Sequence, residues 1–245
     1  MTIKTKPVEY MHGKTKCIGY MAWDDSYADP KPCVLINHAW GGLDGFVQDK
    51  AIAMAANGFI GFCLDNYGEG VVHETEEDCS AAMGVFMEDR KLLQDRLKAG
   101  FKAACAQNEV DQTHVAAMGY CFGGLSTLDM ARAGLDLKAA VSFHGLLGGS
   151  GLPAKKIKAK VLIAHGWDDP MAPPSDAVAI CEEMAKSGCD WRLQAYGLTA
   201  HAFTNPAADG SKEGMQYNPD SERRSWNAAL ELLDEVFGQH GIKAA

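Results

Sequence analysis

Cys121 lies at the centre of a glycine-rich turn and is the strongest candidate nucleophile in the sequence. Residues 115–124 read Val-Ala-Ala-Met-Gly-Tyr-Cys-Phe-Gly-Gly, an apolar run that leads into Gly-x-Cys-x-Gly-Gly. This pattern is typical of a nucleophile elbow, in which Gly119 and Gly123 avoid collisions within a tight strand-to-helix turn. The sulfur is then expected at a helix amino terminus, which favours the thiolate. The alternative is a buried structural cysteine between packing glycines.

A nucleophile of this kind needs a base, and the base needs a group that orients it. His201 is the histidine that lies downstream of a predicted acid and just after the last predicted strand, 191–196. Asp168 and Asp169 both follow the apolar run 161–164, and only one of two adjacent side chains can reach the imidazole. We favour Asp169 as the acid and expect the other carboxylate to cap the helix that follows Pro173.

An acyl-transfer site also needs two hydrogen-bond donors for the oxyanion. The candidates are the N–H of Phe122, directly after the cysteine, and the N–H of Trp40, in a glycine-containing loop after the apolar run 33–36. An ordinary turn is the alternative interpretation of that loop. A substrate pocket is expected from residues near these segments, although the same side chains could be structural: His38, Ala39, Tyr67, His144 and Phe203.

The sequence has no recognisable metal or cofactor motif. It contains no H-x-H, H-E-x-x-H or C-x-x-C pattern, no P-loop and no G-x-G-x-x-G fingerprint. We therefore predict a reaction that uses neither a metal nor a cofactor. The eight cysteines are widely spaced, which is typical of reduced thiols rather than of a disulfide framework.

Short apolar runs alternate with helical stretches along most of the chain, and this alternation must position the candidate residues. Strands are predicted at 33–36, 59–64, 115–118, 139–143, 161–164 and 191–196, and helices at 46–57, 78–106, 123–133, 174–187 and 220–238. Residues 3–21 predict an antiparallel hairpin around His12 and Gly13. The pattern indicates a mostly parallel, doubly wound α/β sheet with function at the carboxyl ends of its strands. Polar segments 65–80 and 204–219 are expected to shape the pocket mouth.

Composition limits the partners and the location. With 245 residues, 47% of them hydrophobic, the chain is expected to form a single domain over residues 1–245. The net charge of -9 argues against nucleic acid and anionic membranes, because both attract basic surfaces. No apolar segment has the length of a signal peptide or of a membrane span, so we expect a cytoplasmic protein. It is expected to be a monomer or a homodimer that acts on a small molecule.

Three motifs together resemble the dienelactone hydrolase family of α/β-hydrolases. They are Gly-Tyr-Cys-Phe-Gly-Gly at 119–124, His-Gly-Trp-Asp-Asp-Pro-Met-Ala-Pro at 165–173 and Ala-His-Ala-Phe at 200–203, within a likeness that runs from about residue 30 to 240. The resemblance implies a triad of Cys121, Asp169 and His201. It supports Asp169 over Asp168, because the family acid usually stands four residues before the proline that here is Pro173. It also implies Trp40 as the second oxyanion donor.

Two departures from the family pattern bear on the substrate. Members that open dienelactone commonly carry a glutamate just before the second oxyanion donor, whereas this chain has Ala39. Those members also hold a substrate carboxylate with arginines, and an ungapped comparison places Glu77 and Asn205 at these positions. A small neutral or aryl ester is therefore expected to be a better substrate than a carboxylated dienelactone.

The sequence therefore predicts a metal-independent esterase or lactonase that works through a Cys121 thioester, with phosphotriesters as promiscuous substrates. A true dienelactone (carboxymethylenebutenolide) hydrolase is one alternative. A catalytically weak ligand-binding or thiol-sensing protein on the same fold is the other, and a complete triad argues against it.

Overall fold

The computed structural model describes residues 2–238, which contain eight strands and six helices. The strands are β1 (Ile3–His12), β2 (Thr15–Asp24), β3 (Lys31–Asn37), β4 (Ile60–Leu64), β5 (Val110–Tyr120), β6 (Ala139–Phe143), β7 (Lys160–Gly166) and β8 (Trp191–Tyr196). The helices are α1 (Gly45–Ala56), α2 (Glu76–Glu88), α3 (Arg90–Cys105), α4 (Phe122–Arg132), α5 (Pro174–Ser187) and α6 (Pro219–Phe237). In this part of the chain, no helix is long and apolar enough to cross a bilayer.

The eight strands form one sheet in the order β1-β2-β4-β3-β5-β6-β7-β8. Strands β3 to β8 run parallel to one another, while β1 and β2 form an antiparallel hairpin whose last pair is His12 and Thr15. Strand β2 joins the rest of the sheet by antiparallel pairing with β4. The predicted α/β fold, a mostly parallel sheet with an amino-terminal antiparallel hairpin, is confirmed.

Both faces of the sheet are covered by helices, which explains the continuous apolar runs of the strands. In β3, Cys33 and Leu35 pack into a core that contains residues of α3, α4 and α5. The alternate residues Val34 and Ile36 pack on the opposite face, in a core that contains residues of α1 and α6. All residues of β3 after Lys31 are therefore buried, whichever face they point to.

The predicted helix at 78–106 is wrong in one respect, because the chain forms two helices there. Helix α2 ends at Glu88 and α3 begins at Arg90. Asp89, between them, has the non-helical backbone angles φ -118° and ψ 80°, and its carboxylate accepts a hydrogen bond of 2.8 Å from the amide of Leu92. Aspartate is a strong amino-terminal cap, so this residue ends one helix and begins the next.

The segments that carry the candidate residues all leave the carboxyl edge of the parallel strands. Trp40 follows β3, Cys121 follows β5, Asp169 follows β7 and His201 follows β8. Strand β3 lies between β4 and β5 in the sheet. The chain therefore passes from β3 to β4 on one side of β3, and then crosses to β5 on the other side. Ligands of doubly wound sheets bind at such a switch point, which here lies between Trp40 and Cys121.

Candidate active site

Cys121 occupies a strained position at the tip of the turn between β5 and α4. Its backbone angles are φ 57° and ψ -117°, a conformation that is uncommon for a residue with a side chain. The amide of Cys121 donates to the carbonyl of Phe143 on β6 (3.1 Å). A Cβ atom at Gly119 would overlap the carbonyl of Gly123, and one at Gly123 would overlap the carbonyl of Asn37. The turn thus has the geometry of a nucleophile elbow.

The thiol of Cys121 lies at the amino end of helix α4. Cys121 is the residue before Phe122, where the helix begins, and its side chain makes no capping hydrogen bond. The unpaired amides and the dipole of the helix stabilise negative charge at this position. Cys121 is also partly exposed, so a ligand can reach it.

His201 and Asp169 form a buried hydrogen-bonded pair. The Nδ1–H of His201 donates to Oδ2 of Asp169 (2.7 Å), and neither side chain is exposed. The other carboxylate oxygen of Asp169 accepts from the amides of Met171 (2.8 Å) and Ala172 (3.3 Å). Asp168 is exposed and makes no such bond. The expectation that it caps α5 is wrong, because no side chain caps that helix.

Burial and two neighbouring side chains act together on the charge of His201. Burial alone lowers the pKa of His201, but the negative charge of Cys121 and the hydrogen bond to Asp169 outweigh it and raise the pKa to about 10. The imidazole is therefore protonated at neutral pH. A charged imidazole near Cys121 is the kind of partner that activates cysteine nucleophiles by favouring the thiolate.

Cys121 and His201 line the same cavity, whose volume is about 210 Å³. The remaining lining residues are Trp40, Met83, Leu146, Met171, Lys212 and Met215. Since Nδ1 of His201 is bonded to Asp169, Nε2 is the ring nitrogen left for chemistry, and it has no partner among the described protein groups. The walls are largely apolar, and methionines give them adaptable shapes.

The two predicted oxyanion donors lie on opposite sides of the nucleophile in the chain. Trp40 lines the cavity, and Phe122 is the first residue of α4. Within residues 2–238, neither of their amides donates a hydrogen bond to another protein group. The carbonyl of Trp40, in contrast, accepts a hydrogen bond of 2.6 Å from the hydroxyl of Tyr67.

None of the five residues predicted to form the pocket is among the residues that line this cavity: His38, Ala39, Tyr67, His144 and Phe203. His38 and Phe203 are fully buried, and Nε2 of His144 is hydrogen-bonded to Thr204 (2.8 Å). The ring of His144 also packs against that of His201, with 5.1 Å between centroids, and burial holds the pKa of His144 well below its usual value. His38, His144 and Phe203 are thus buried side chains that do not line this cavity.

The cavity contains five residues that the sequence did not single out: Met83, Leu146, Met171, Lys212 and Met215. Lys212 and Met215 belong to the polar segment 204–219, which was predicted to shape the pocket mouth. That segment also contacts His201, because the amide of His201 donates to the carbonyl of Gly214 (2.9 Å). Met171 follows Asp169 by two residues, but no local pattern marks Met83 or Leu146.

Lys212 brings a positive charge to the cavity, and Glu76 neutralises it. The ammonium group lies 4.2 Å from the ring centroid of Trp40 and 2.8 Å from a carboxylate oxygen of Glu76. Glu77 and Asn205, which the family comparison had placed at the arginine positions, are not among the lining residues. In the described part of the chain, no group of three or more His, Cys, Asp or Glu side chains could hold a metal ion.

Solved structures with this architecture include enzymes of related chemistry. A dienelactone hydrolase-like promiscuous phosphotriesterase from metagenomic libraries is 34% identical, with a TM-score of 0.92, and the match covers 97% of this chain and 100% of that one. A putative dienelactone hydrolase from Klebsiella pneumoniae is 18% identical with a TM-score of 0.80, over 96% of this chain and 100% of that one, and supports the fold alone.

Sequence comparison extends the same relationship to curated proteins. A putative carboxymethylenebutenolidase of Aquifex aeolicus is 24% identical over 92% of this chain and 96% of its own length. An uncharacterised protein of Caenorhabditis elegans is 35% identical over 59% of this chain and 94% of its own length. The family model described as dienelactone hydrolase family matches residues 18–237. The chain therefore belongs to the dienelactone hydrolase family and is a hydrolase with the α/β-hydrolase fold.

Proposed function

We propose that the protein hydrolyses carboxylic esters or lactones with Cys121 as nucleophile, His201 as general acid and base, and Asp169 as the residue that orients His201. One observation carries the proposal. Cys121 at the elbow and His201 line one cavity, while Nδ1 of His201 is bonded to the buried carboxylate of Asp169. A nucleophile, a base and a group that orients the base are what triad chemistry requires, and this arrangement supports the proposal.

The reaction has two halves. In the first, the thiolate of Cys121 attacks the carbonyl carbon, a C–S bond forms, and the C–O bond to the leaving alcohol breaks as the imidazolium of His201 gives that oxygen a proton. In the second, neutral His201 takes a proton from water, and the oxygen of that water attacks the thioester. The C–S bond then breaks, which restores the thiolate and the imidazolium.

The N–H groups of Phe122 and Trp40 are the proposed oxyanion donors. Both amides are without a protein acceptor in the described chain. Phe122 follows Cys121 directly in the sequence, and Trp40 lines the same cavity as Cys121. Preorganised donors of this kind stabilise the charge that develops on the carbonyl oxygen, with each donor accounting for about 10²- to 10³-fold in rate.

Small neutral esters are the proposed substrates. A cavity of about 210 Å³ is below the usual range for drug-sized ligands, and its walls are mostly apolar. The positive charge of Lys212 is paired with Glu76, so it attracts a substrate carboxylate less strongly than an unpaired ammonium group would. The alternative, a carboxylated dienelactone as substrate, needs that ammonium group to be released from Glu76.

A phosphotriester side activity is the second proposed function, and the promiscuous phosphotriesterase among the similar structures favours it. The thiolate would attack phosphorus and displace an aryloxide, with the same N–H groups holding the phosphoryl oxygen. The resulting S-phosphoryl enzyme must then be cleared by water. Turnover of paraoxon that exceeds that of a Cys121→Ala variant supports this activity, and equal rates exclude it.

The main proposal is tested with p-nitrophenyl acetate and butyrate in a stopped-flow instrument, with EDTA present. A burst of p-nitrophenol equal to the enzyme concentration, followed by steady turnover, is expected for the wild type. Cys121→Ala should abolish the burst, and His201→Ala should abolish turnover. Intact-mass spectrometry during the burst should show one acyl group on the wild-type chain.

Other outcomes separate the competing interpretations. A stoichiometric burst without turnover would support a thiol sensor that is acylated but not regenerated. The absence of an acyl adduct in the wild type, with turnover intact, would exclude the covalent route through Cys121.

A further inference from the structure

The peptide group that joins Ala39 to Trp40 is held on its carbonyl side by two hydrogen bonds. Nδ1 of His38 lies 2.6 Å from the carbonyl oxygen of Ala39, and the amide of Gly42 donates to the same oxygen (3.2 Å). This peptide also contains the N–H of Trp40, which is the proposed second oxyanion donor. The contacts of Ala39 therefore bear on the orientation of that donor.

The hydrogen-bond network fixes the protonation of His38. The backbone amide of Asn66 donates to Nε2 of His38 (3.2 Å), and a backbone N–H can only donate, so Nε2 must carry the lone pair. In a neutral imidazole the proton is then on Nδ1, which makes Nδ1 the donor to Ala39. Burial lowers the pKa of this fully buried histidine and keeps the ring neutral.

A hydrogen bond to one side of a peptide sets the direction of the other side. In a planar trans peptide, the C=O and the N–H point in opposite directions. With the Ala39 carbonyl directed at His38, the N–H of Trp40 is directed away from His38. The next carbonyl, that of Trp40, accepts a hydrogen bond of 2.6 Å from the hydroxyl of Tyr67. Two successive peptide groups are thus held by side chains.

The same side chains connect this loop to the other oxyanion donor. The ring of Tyr67 stacks on that of Phe122, with 6.0 Å between centroids and 17° between planes, and it meets His38 edge-on at 4.7 Å. Phe122 is the residue whose amide is the first proposed donor. A ring cluster of His38, Tyr67 and Phe122 therefore links the segment after β3 to the start of α4.

We propose that His38 and Tyr67 are positioning residues that fix the N–H of Trp40 in the oxyanion hole, at the spacing from the Phe122 N–H that the tetrahedral intermediate needs. This inference rests on the proposed function. The two side chains act through the backbone and do not touch the substrate, which agrees with their absence from the cavity lining. They contribute when negative charge develops on the carbonyl oxygen, and not when ground-state substrate binds.

The test compares two reactions of Cys121 in the same variants. Acylation by p-nitrophenyl acetate passes through an oxyanion, whereas alkylation by iodoacetamide does not. His38→Leu removes the donor to Ala39, His38→Asn keeps an N–H near the position of Nδ1, and Tyr67→Phe removes the hydroxyl alone. We expect His38→Leu to slow the acylation burst by about 10- to 100-fold and Tyr67→Phe by about 10-fold, with His38→Asn close to wild type.

Alkylation rates should remain within about twofold of wild type in all three variants, and KM for the ester should change less than kcat. Equal losses in acylation and alkylation would overturn the inference, since they would indicate a general disturbance of Cys121. Unchanged acylation in Tyr67→Phe and in a folded His38→Leu would overturn it as well. A third result would contradict the proposed function itself: a wild type that forms no acyl adduct although iodoacetamide still alkylates Cys121. This result differs from the two above, because it is seen in the wild type and not only in the His38 and Tyr67 variants.

Discussion

The imidazole of His201 and the carboxylate of Asp169 share a hydrogen bond of 2.7 Å from which solvent is excluded. The second oxygen of Asp169 is occupied by the amides of Met171 and Ala172. The carboxylate is therefore fixed in both position and rotation. It keeps the proton of His201 on Nδ1, so that Nε2 is the nitrogen available on the Cys121 side of the ring.

Asp169→Asn should lower kcat by about 10²- to 10⁴-fold. Asparagine can still accept from the amide of Met171 with its oxygen, but it then presents an NH₂ group to His201. Nδ1 must become an acceptor, and the proton moves to Nε2, which is the wrong tautomer for a base. Steady-state hydrolysis of p-nitrophenyl butyrate measures the effect, with circular dichroism as a check on folding.

Asp168→Asn is the matched control for this substitution. Asp168 is adjacent in sequence but exposed, and its carboxylate does not bond His201. We expect its kcat to be within about twofold of wild type. Equal losses in the two variants would mean that the assignment of Asp169 as the orienting acid is incorrect.

The protonation of His201 should depend on the thiolate of Cys121. In the wild type, the negative charge of Cys121 and the bond to Asp169 overcome burial and raise the pKa of His201 to about 10, so the ring is charged below that pH and loses its proton as pH rises through it. Cys121→Ala removes one of these charges, and we expect the pKa of His201 to fall. The titration is followed by NMR of the histidine ring protons.

His12 is the internal control for that titration, because its Nδ1 accepts from Arg96 and it has no bond to Cys121. Its titration should be the same in both proteins. A His201 titration unaffected by Cys121→Ala would contradict this influence of Cys121 on His201. In the proposed mechanism, thioester formation would also remove the negative charge of Cys121 and leave a neutral His201 ring that can accept a proton from water.

The sequence predicted those parts of the site that depend on local rules. The glycines around Cys121 are required by the turn itself, and the positions of Asp169 and His201 follow from strands whose carboxyl ends meet at one edge. The α/β sheet and its hairpin could be predicted because period-two alternation and buried apolar runs are properties of single segments.

The cavity wall could not be predicted in the same way. Met83 lies on α2, Leu146 follows β6, and Met215 belongs to the segment before α6, so the wall forms only when three distant segments pack together. The proposed roles of His38 and Tyr67 likewise depend on contacts with backbone atoms of other residues. The break at Asp89 was missed although its capping signal was local.

Glu76→Gln should shift substrate preference toward esters that carry a carboxylate. Glu76 neutralises Lys212 at the cavity, so its removal leaves an unpaired ammonium group for the substrate. The measurement is the ratio of kcat/KM for mono-p-nitrophenyl glutarate to kcat/KM for p-nitrophenyl butyrate. We expect this ratio to rise about 3- to 5-fold, a modest gain because the charge of Lys212 is partly exposed to solvent. The gain should shrink at high salt.

Two further variants control for a general change in surface charge. Glu77→Gln removes the neighbouring exposed carboxylate, for which the structure records no ion pair with Lys212, and should leave the ratio unchanged. Combining Glu76→Gln with Lys212→Met should return the ratio to the wild-type value or below it. If Glu77→Gln raised the ratio by the same amount, the effect would come from the general surface charge and not from the pair of Glu76 and Lys212.

Gly123→Ala should reduce the free energy of unfolding by about 2–3 kcal/mol. A Cβ atom there would overlap the carbonyl oxygen of Asn37 at the end of β3 and lie 2.6 Å from that of His38, so the elbow must move away from the loop that carries Trp40. Gly84→Ala is the control, because nothing lies near its Cβ position inside α2, and it should stabilise the protein by about 0.5–1 kcal/mol. Urea denaturation measures both changes. If Gly123→Ala were as stable as the wild type, the close approach of the two segments would not be a constraint on this turn, and the glycine would need another explanation.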